Sequence, residues 1–198
     1  MAELALCDAP HRRELLRLLR ASAAGLWPAQ RVIAEDVLGA EAKIDWVALE
    51  PGGRACIVLV GEQGEDLELV ARALAQRAWL GPRLRDWLQL APRIGLRPEA
   101  GVRVLLFCPA FRSEALAAAG ALGPDVLSLA SYRCVRDAAG VSVLVEPIRS
   151  ASGATEAIEA QPQPPEPFRT GLSDLDLGLT PDERREFERL ASPRGVSG

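Results

Sequence analysis

Apolar and polar positions are patterned most tightly between Lys43 and Gly61, KIDWVALEPGGRACIVLVG. Ile44, Trp46 and Ala48 interleave with Asp45, Val47 and Leu49, which predicts a strand buried on both faces with a carboxylate set into an apolar run. Pro51-Gly52-Gly53 combines a fixed φ with glycine freedom, as a tight reversal requires, and Ala55–Val60 is a second run of small and β-branched residues. The two runs are expected to pair as an antiparallel hairpin. After the polar Glu62–Gly64, Leu67, Val70, Ala71, Leu74 and Ala78 recur at helical spacing. They predict a helix over Asp66–Leu80, stopped by Gly81-Pro82. Arg83–Ala91 reads as a second, shorter helix with Leu84, Trp87 and Leu88 on one side.

Outside this unit the pattern continues to alternate helix with strand. Ala9–Ala24 is expected to be a helix whose stripe of Leu15, Leu16, Leu18 and Leu19 faces a core, with Arg13, Arg17 and Arg20 in a row beside it. Arg31–Asp36 predicts a short strand, and Glu35 and Asp36 read as its end and turn. Val102–Cys108 is a buried strand, Arg112–Ala121 a helix of small residues, and Val126–Ala130 with Ser131–Arg136 strand again. Gly140–Ile148 closes the sheet after a turn at Asp137–Gly140. The expected fold is therefore α/β, a mixed central sheet with a β-hairpin flanked by helices, over residues 1–148. Residues 149–173, with Gln161-Pro-Gln-Pro-Pro-Glu-Pro167, read as a Pro-rich flexible linker. In the tail, 174–198, Thr180-Pro-Asp-Glu183 has capping-box spacing ahead of a short helix over Arg184–Ala191.

The strand bearing Asp45, the turn, the apolar second strand and the helix ending in Trp79-Leu80 together resemble the PD-(D/E)XK, or restriction-endonuclease-like, nuclease superfamily, in particular its small prokaryotic members. The resemblance implies a restriction-endonuclease-like core. In that family an Asp and a Glu hold a divalent metal and a Lys helps to position or activate the attacking water. Asp45 falls at the family's Asp. Leu59 falls where the metal-binding Glu belongs and Gly61 where the Lys belongs, so this half of the motif is missing. The family often carries a further Glu on its first helix, which has no counterpart in Gly25-Leu26-Trp27-Pro28, and Arg72 stands where many relatives carry a Gln in the helix after the hairpin. The resemblance thus points to a nuclease fold with a degenerate active site.

Composition narrows the picture. The chain has 198 residues, is 48% hydrophobic and carries a formal charge of −4, so attraction to nucleic acid has to come from a local basic patch. Lys43 is the single lysine. Cys7, Cys56, Cys108 and Cys134 are far apart and have only His11 to join them, a spacing that argues against zinc. Cys56 and Cys108 read as buried small hydrophobes. No signal peptide or membrane-length apolar run is visible, and the expected location is cytoplasmic.

Three functional readings follow. The first is a catalytically inactive nuclease-like protein that acts by binding nucleic acid, through helices bearing Arg13, Arg17 and Arg20, or by binding a protein partner through the tail. The second is an active endonuclease with relocated ligands, in which Lys43 and Asp45 project to one face and Glu62, Glu65 or Glu68 completes the site. The third is an interaction module whose likeness to nucleases is architectural. No cofactor is expected under the first and third, and Mg²⁺ under the second. For Asp45 the alternative to a metal role is a hydrogen bond to a neighbouring amide or an arginine.

Overall fold

Burial on both faces makes the hairpin the centre of the sheet. In the computed structural model, which describes residues 5–27, 30–138 and 140–148, β3 (Lys43–Leu49) pairs antiparallel with β4 (Ala55–Val60). Every residue of β4 is buried. Its odd-numbered side chains enter one apolar cluster and its even-numbered ones another, because successive side chains of a strand point to opposite faces. The reversal runs through Gly52 and Gly53, both in the left-handed region at φ 89° and 87°. At Gly53 a side chain would also collide with the Gly95 carbonyl oxygen, 2.7 Å from where Cβ would be.

On one side of the hairpin, β2 (Arg31–Leu38) pairs antiparallel with β3 and forms a sheet edge. On the other, β5 (Val102–Cys108) and β6 (Leu127–Asp137) add in parallel. β7 (Gly140–Ile148) runs antiparallel along β6, and the short β1 (Ala5–Leu6) pairs with the end of β6. Helix α1 (Arg12–Leu26) covers one face through Leu15, Leu19 and Ala23, packed on Trp46, Val58, Phe107 and Tyr132. The opposite face carries α2 (Asp66–Leu90) and α3 (Ser113–Leu122), which bury Leu69, Ala73, Leu80, Leu84, Ala115 and Ala119. The order helix, three antiparallel strands, helix, parallel strand is the mixed α/β arrangement that the pattern predicted.

Several boundaries differ, and α1 starts at Arg12 and not at Ala9. Gly81-Pro82 does not end a helix: α2 continues through Pro82 to Leu90 as one helix of 25 residues. Proline removes only its own N–H bond and crowds the preceding turn. Leu80 and Leu84, on either side of Pro82, are both fully buried in the same cluster, so tertiary packing holds both halves in line. The Arg83 guanidinium donates to the Trp79 carbonyl at 2.7 Å and lies 4.4 Å from the Trp79 ring, bracing the turn around the proline. β2 likewise runs on to Leu38, two residues past its predicted end. The linker over 149–173 and the tail over 174–198 lie outside the described residues.

Candidate functional site

Asp45 occupies the point where β3 and β4 part. Their regular pairing runs from Leu49 opposite Ala55 to Trp46 opposite Val58. Beyond it the Asp45 carboxylate replaces a backbone acceptor: Val60 N–H donates to Oδ2 at 2.8 Å. The other oxygen, Oδ1, accepts from Arg12 Nη2 at 2.7 Å, and the same guanidinium nitrogen donates to the Val60 carbonyl at 3.0 Å. Arg12, at the first position of α1, therefore ties the helix to both strands at the seam. Asp45 is 6% exposed and Arg12 45%, so one partner is buried and the other faces water.

Around this pair opens a cleft of about 380 Å³ bordered by Arg12, Arg13, Asp36, Lys43, Asp45 and Arg72. Four cations face two carboxylates, and one of the carboxylates is already paired. Among the described residues Arg13, Lys43 and Arg72 make no salt bridge, and Arg72 Nε is buried without a hydrogen-bond partner. Arg12 and Arg13 stand at the N-terminus of α1, where the helix dipole adds further positive potential. The cleft is electropositive although the chain as a whole is acidic.

The floor of the cleft is held from behind. Gln76, 1% exposed on α2, accepts from Ala40 N–H at 3.1 Å and donates to the Ala42 carbonyl at 2.9 Å. It thereby fixes the β2–β3 turn and the start of the strand that carries Lys43. Asp36 lies inside β2 at φ 50°, a left-handed conformation that Asp tolerates better than most residues. Its neighbours Glu35 and Val37 are paired with Trp46 and Ile44, on either side of Asp45.

The expected site residues divide. Lys43 and Asp45 border one cleft, as their spacing predicted. Glu62 lines a different cavity, of about 610 Å³, which shares only Arg12 with the first. Glu65 accepts from the Glu62 N–H at 2.8 Å, and Glu68 is exposed on the first turn of α2. The arginine row on α1 is also dispersed: Arg17 lies 3.8 Å from Glu14, and Arg20 pairs with Glu35 while its guanidinium covers the Trp46 ring at 5.6 Å. Only Arg13 of the row reaches the cleft. The sequence pattern does not single out Arg12 and Gln76 and assigns Asp36 to a turn. The one available signal was a pair of arginines, Arg12-Arg13, at a helix start where acidic residues are normally favoured.

The two positions at which the resemblance expects Glu and Lys are built into the core. Leu59 is fully buried against the α2 layer. At Gly61 a Cβ would lie 2.9 Å from Leu69 Cδ2 and 3.6 Å from Cys108 Sγ, so a lysine there requires the buried Leu69 side chain to shift. No register shift rescues the site, because β4 is ACIVLV throughout. The fold family implies a divalent metal, and the donor set does not fit one: both Asp45 oxygens are engaged, and the described residues hold no group of three potential ligands.

The order of elements, with Asp45 at the seam of the hairpin, decides the architecture. The core is a mixed α/β sheet flanked by helices on both faces, the arrangement that the resemblance to restriction-endonuclease-like proteins implies. No family model matches the chain, and no curated protein sequence matches it significantly. Among solved structures it is similar to a repair endonuclease from Pyrococcus abyssi (TM-score 0.39, 14% identity, 58% of this chain and 44% of that one). It is also similar to EndoMS in a complex with double-stranded DNA (TM-score 0.34, 13% identity, 58% and 42%). A third is SfsA of Pyrococcus furiosus in complex with Ca²⁺ (TM-score 0.35, 11% identity, 69% and 62%). The chain spans less than half the length of the first two and under two thirds of the third. No helix among the described residues is long and apolar enough to cross a membrane.

Proposed function

We propose that this restriction-endonuclease-like chain acts by binding and not by metal-dependent cleavage, and that it takes the phosphate backbone of nucleic acid into the cleft bordered by Arg12, Arg13, Lys43 and Arg72. The observation that carries the reading is the ion pair of Arg12 with Asp45 at 2.7 Å. A guanidinium stands on the carboxylate that the family uses for a metal, and unpaired cations surround it. Arginine forks suit phosphate oxygens, and a lysine adds a mobile point charge. With the overall charge at −4, attraction is confined to this cleft and steeply salt-dependent.

A second reading, a nuclease with relocated ligands, is favoured by one observation: Asp36 and Lys43 border the same cleft as Asp45. The two readings separate in one experiment. End-labelled single- and double-stranded DNA and RNA are incubated with Mg²⁺ or Mn²⁺ beside Asp45→Ala, and binding is followed in parallel by fluorescence anisotropy over a salt series. The binding reading expects no metal-dependent cutting. It also expects an affinity whose log–log salt slope falls by about 0.7–0.9 for each phosphate that Arg13→Ala, Lys43→Ala or Arg72→Ala leaves without its cation. Cutting that vanishes in Asp45→Ala establishes the second reading. Binding that ignores all three substitutions overturns the first.

A further inference from the structure

Cys7 and Cys134 stand far apart in the chain, yet the fold sets them side by side. β1 pairs with β6 with Ala5 opposite Arg136 and Leu6 opposite Val135. The same register continued by one residue brings Cys7 opposite Cys134, and Cys7 N–H donates to the Cys134 carbonyl at 3.0 Å. Directly opposed residues of an antiparallel pair have Cα atoms about 4.5–5.5 Å apart and side chains on one face. That separation falls within the span of about 4.4–6.8 Å that a disulfide bridges. Both thiols are free, and both side chains belong to the apolar layer under α1. They also border the 610 Å³ cavity, together with Asp8, Arg12, Glu62 and Tyr132.

We infer that Cys7 and Cys134 form a reversible dithiol–disulfide pair that clamps the N-terminal strand β1 onto β6 at the wall of this cavity. The two thiols differ in access. Cys7 is half-buried and Cys134 buried, and burial followed by the nearby Cys7 pushes the Cys134 thiol up. Cys7 is thus the first to react with a disulfide oxidant such as oxidised glutathione. Its thiolate attacks one glutathione sulfur, forming a mixed disulfide and expelling a glutathione thiolate, which takes up a proton. The Cys134 thiol gives up its proton and its sulfur attacks the Cys7 sulfur, releasing a second glutathione. The two cysteine sulfurs lose two electrons, and oxidised glutathione gains them as two thiols. In reducing surroundings the dithiol persists.

Clamping acts on an otherwise weakly held element. β1 comprises only Ala5 and Leu6, both exposed, and the segment that follows leads directly into Arg12. Oxidation therefore restrains the approach to the residue that borders both cavities. Cys56 and Cys108 are fully buried and stay out of the exchange.

The test treats the reduced full-length chain with excess oxidised glutathione, quenches it with iodoacetamide and reads intact mass and a non-reducing peptide map. The expected result is a monomer lighter by two hydrogens, with the Cys7 peptide joined to the Cys134 peptide and Cys56 and Cys108 alkylated only after unfolding. Cys7→Ser is expected to abolish the link, and Cys134→Ser to stop at a stable mixed disulfide on Cys7. Amide exchange at Leu6 and Cys7 is expected to slow at least tenfold on oxidation. Glutathione left on Cys7 of the unsubstituted chain, a link between two chains, or no reaction at Cys7 overturns the inference.

Discussion

Asp45→Ala tests whether this carboxylate is structural. The substitution removes the acceptor of the Val60 N–H at 2.8 Å and the partner of Arg12 at 2.7 Å. An amide orphaned in the interior costs about 1–3 kcal/mol. Arg12, 45% exposed, returns to water at little cost, so its missing attraction adds only about 0.5–1 kcal/mol. The total is about 1.5–4 kcal/mol, or a fall in the urea midpoint of about 1–2 M for a slope near 2 kcal/mol/M. Asp45→Asn keeps an acceptor for Val60 and is expected to lose about half as much. Arg12→Ala leaves the buried carboxylate with one donor and is expected to cost about 1–2 kcal/mol, below the range for fully buried pairs because water reaches the arginine side. Tryptophan fluorescence during urea unfolding, with Trp46 buried next to the seam, gives all three values. The double variant Arg12→Ala/Asp45→Ala should cost less than the two single losses together, a coupling of about 1 kcal/mol. A carboxylate held for a metal behaves oppositely, because its removal relieves an unpaired buried charge. Asp45→Ala as stable as the unsubstituted chain, or strict additivity in the double variant, refutes the structural assignment.

Restoring the family motif with Leu59→Glu and Gly61→Lys is expected to cost more than about 4 kcal/mol, since it buries a carboxylate and drives a Cβ to 2.9 Å from Leu69; a folded, metal-cleaving variant counts against this. Gln76→Leu breaks the bonds to Ala40 and Ala42 and should lower stability by about 1–3 kcal/mol, with faster amide exchange at Ala40 as the specific sign. In alkali, burial pushes the Cys56 thiol up to about 12 and the Cys108 thiol up to about 11. The unfolded chain ionises these thiols first, so stability is full below pH 9 and declines from there towards 11–12; Cys56→Ala should blunt the decline in a pH series of urea midpoints. In acid, burial of Asp66 raises its carboxyl, but the Arg112 backbone amide and guanidinium, at 2.8 and 3.0 Å, outweigh burial and hold it below the usual range. Its contribution is present above an unfolded carboxyl pKa of about 3.9 and is lost as pH falls through the folded value; Asp66→Asn should flatten that acid limb.

Local pattern by itself determined six of the seven strands and the helices α1 and α3, while β1 carries no pattern long enough to read. β3, β4, β5 and β7 begin and end within a residue of where alternation and turn residues predicted, because buried strands are written in short-range repeats of side-chain type. It also supplied Leu59 and Gly61 at the positions where the resemblance expects Glu and Lys, since identities need no geometry. At Gly81-Pro82 local pattern and structure diverge for the complementary reason. Proline carries a local helix-stop signal, and only the burial of Leu80 and Leu84 in one cluster overrides it.

Tertiary structure alone decided the site. Arg12 and Asp45 meet across 33 residues, Gln76 reaches a turn 34 residues away, and Cys7 meets Cys134 only through the β1–β6 register. Sequence spacing encodes neighbours one helical turn or one strand step apart; it carries no record of which distant groups a folded sheet brings within hydrogen-bond distance. The cation cleft and the thiol pair are products of register and helix placement, and they exist only once the hydrophobic layers have closed.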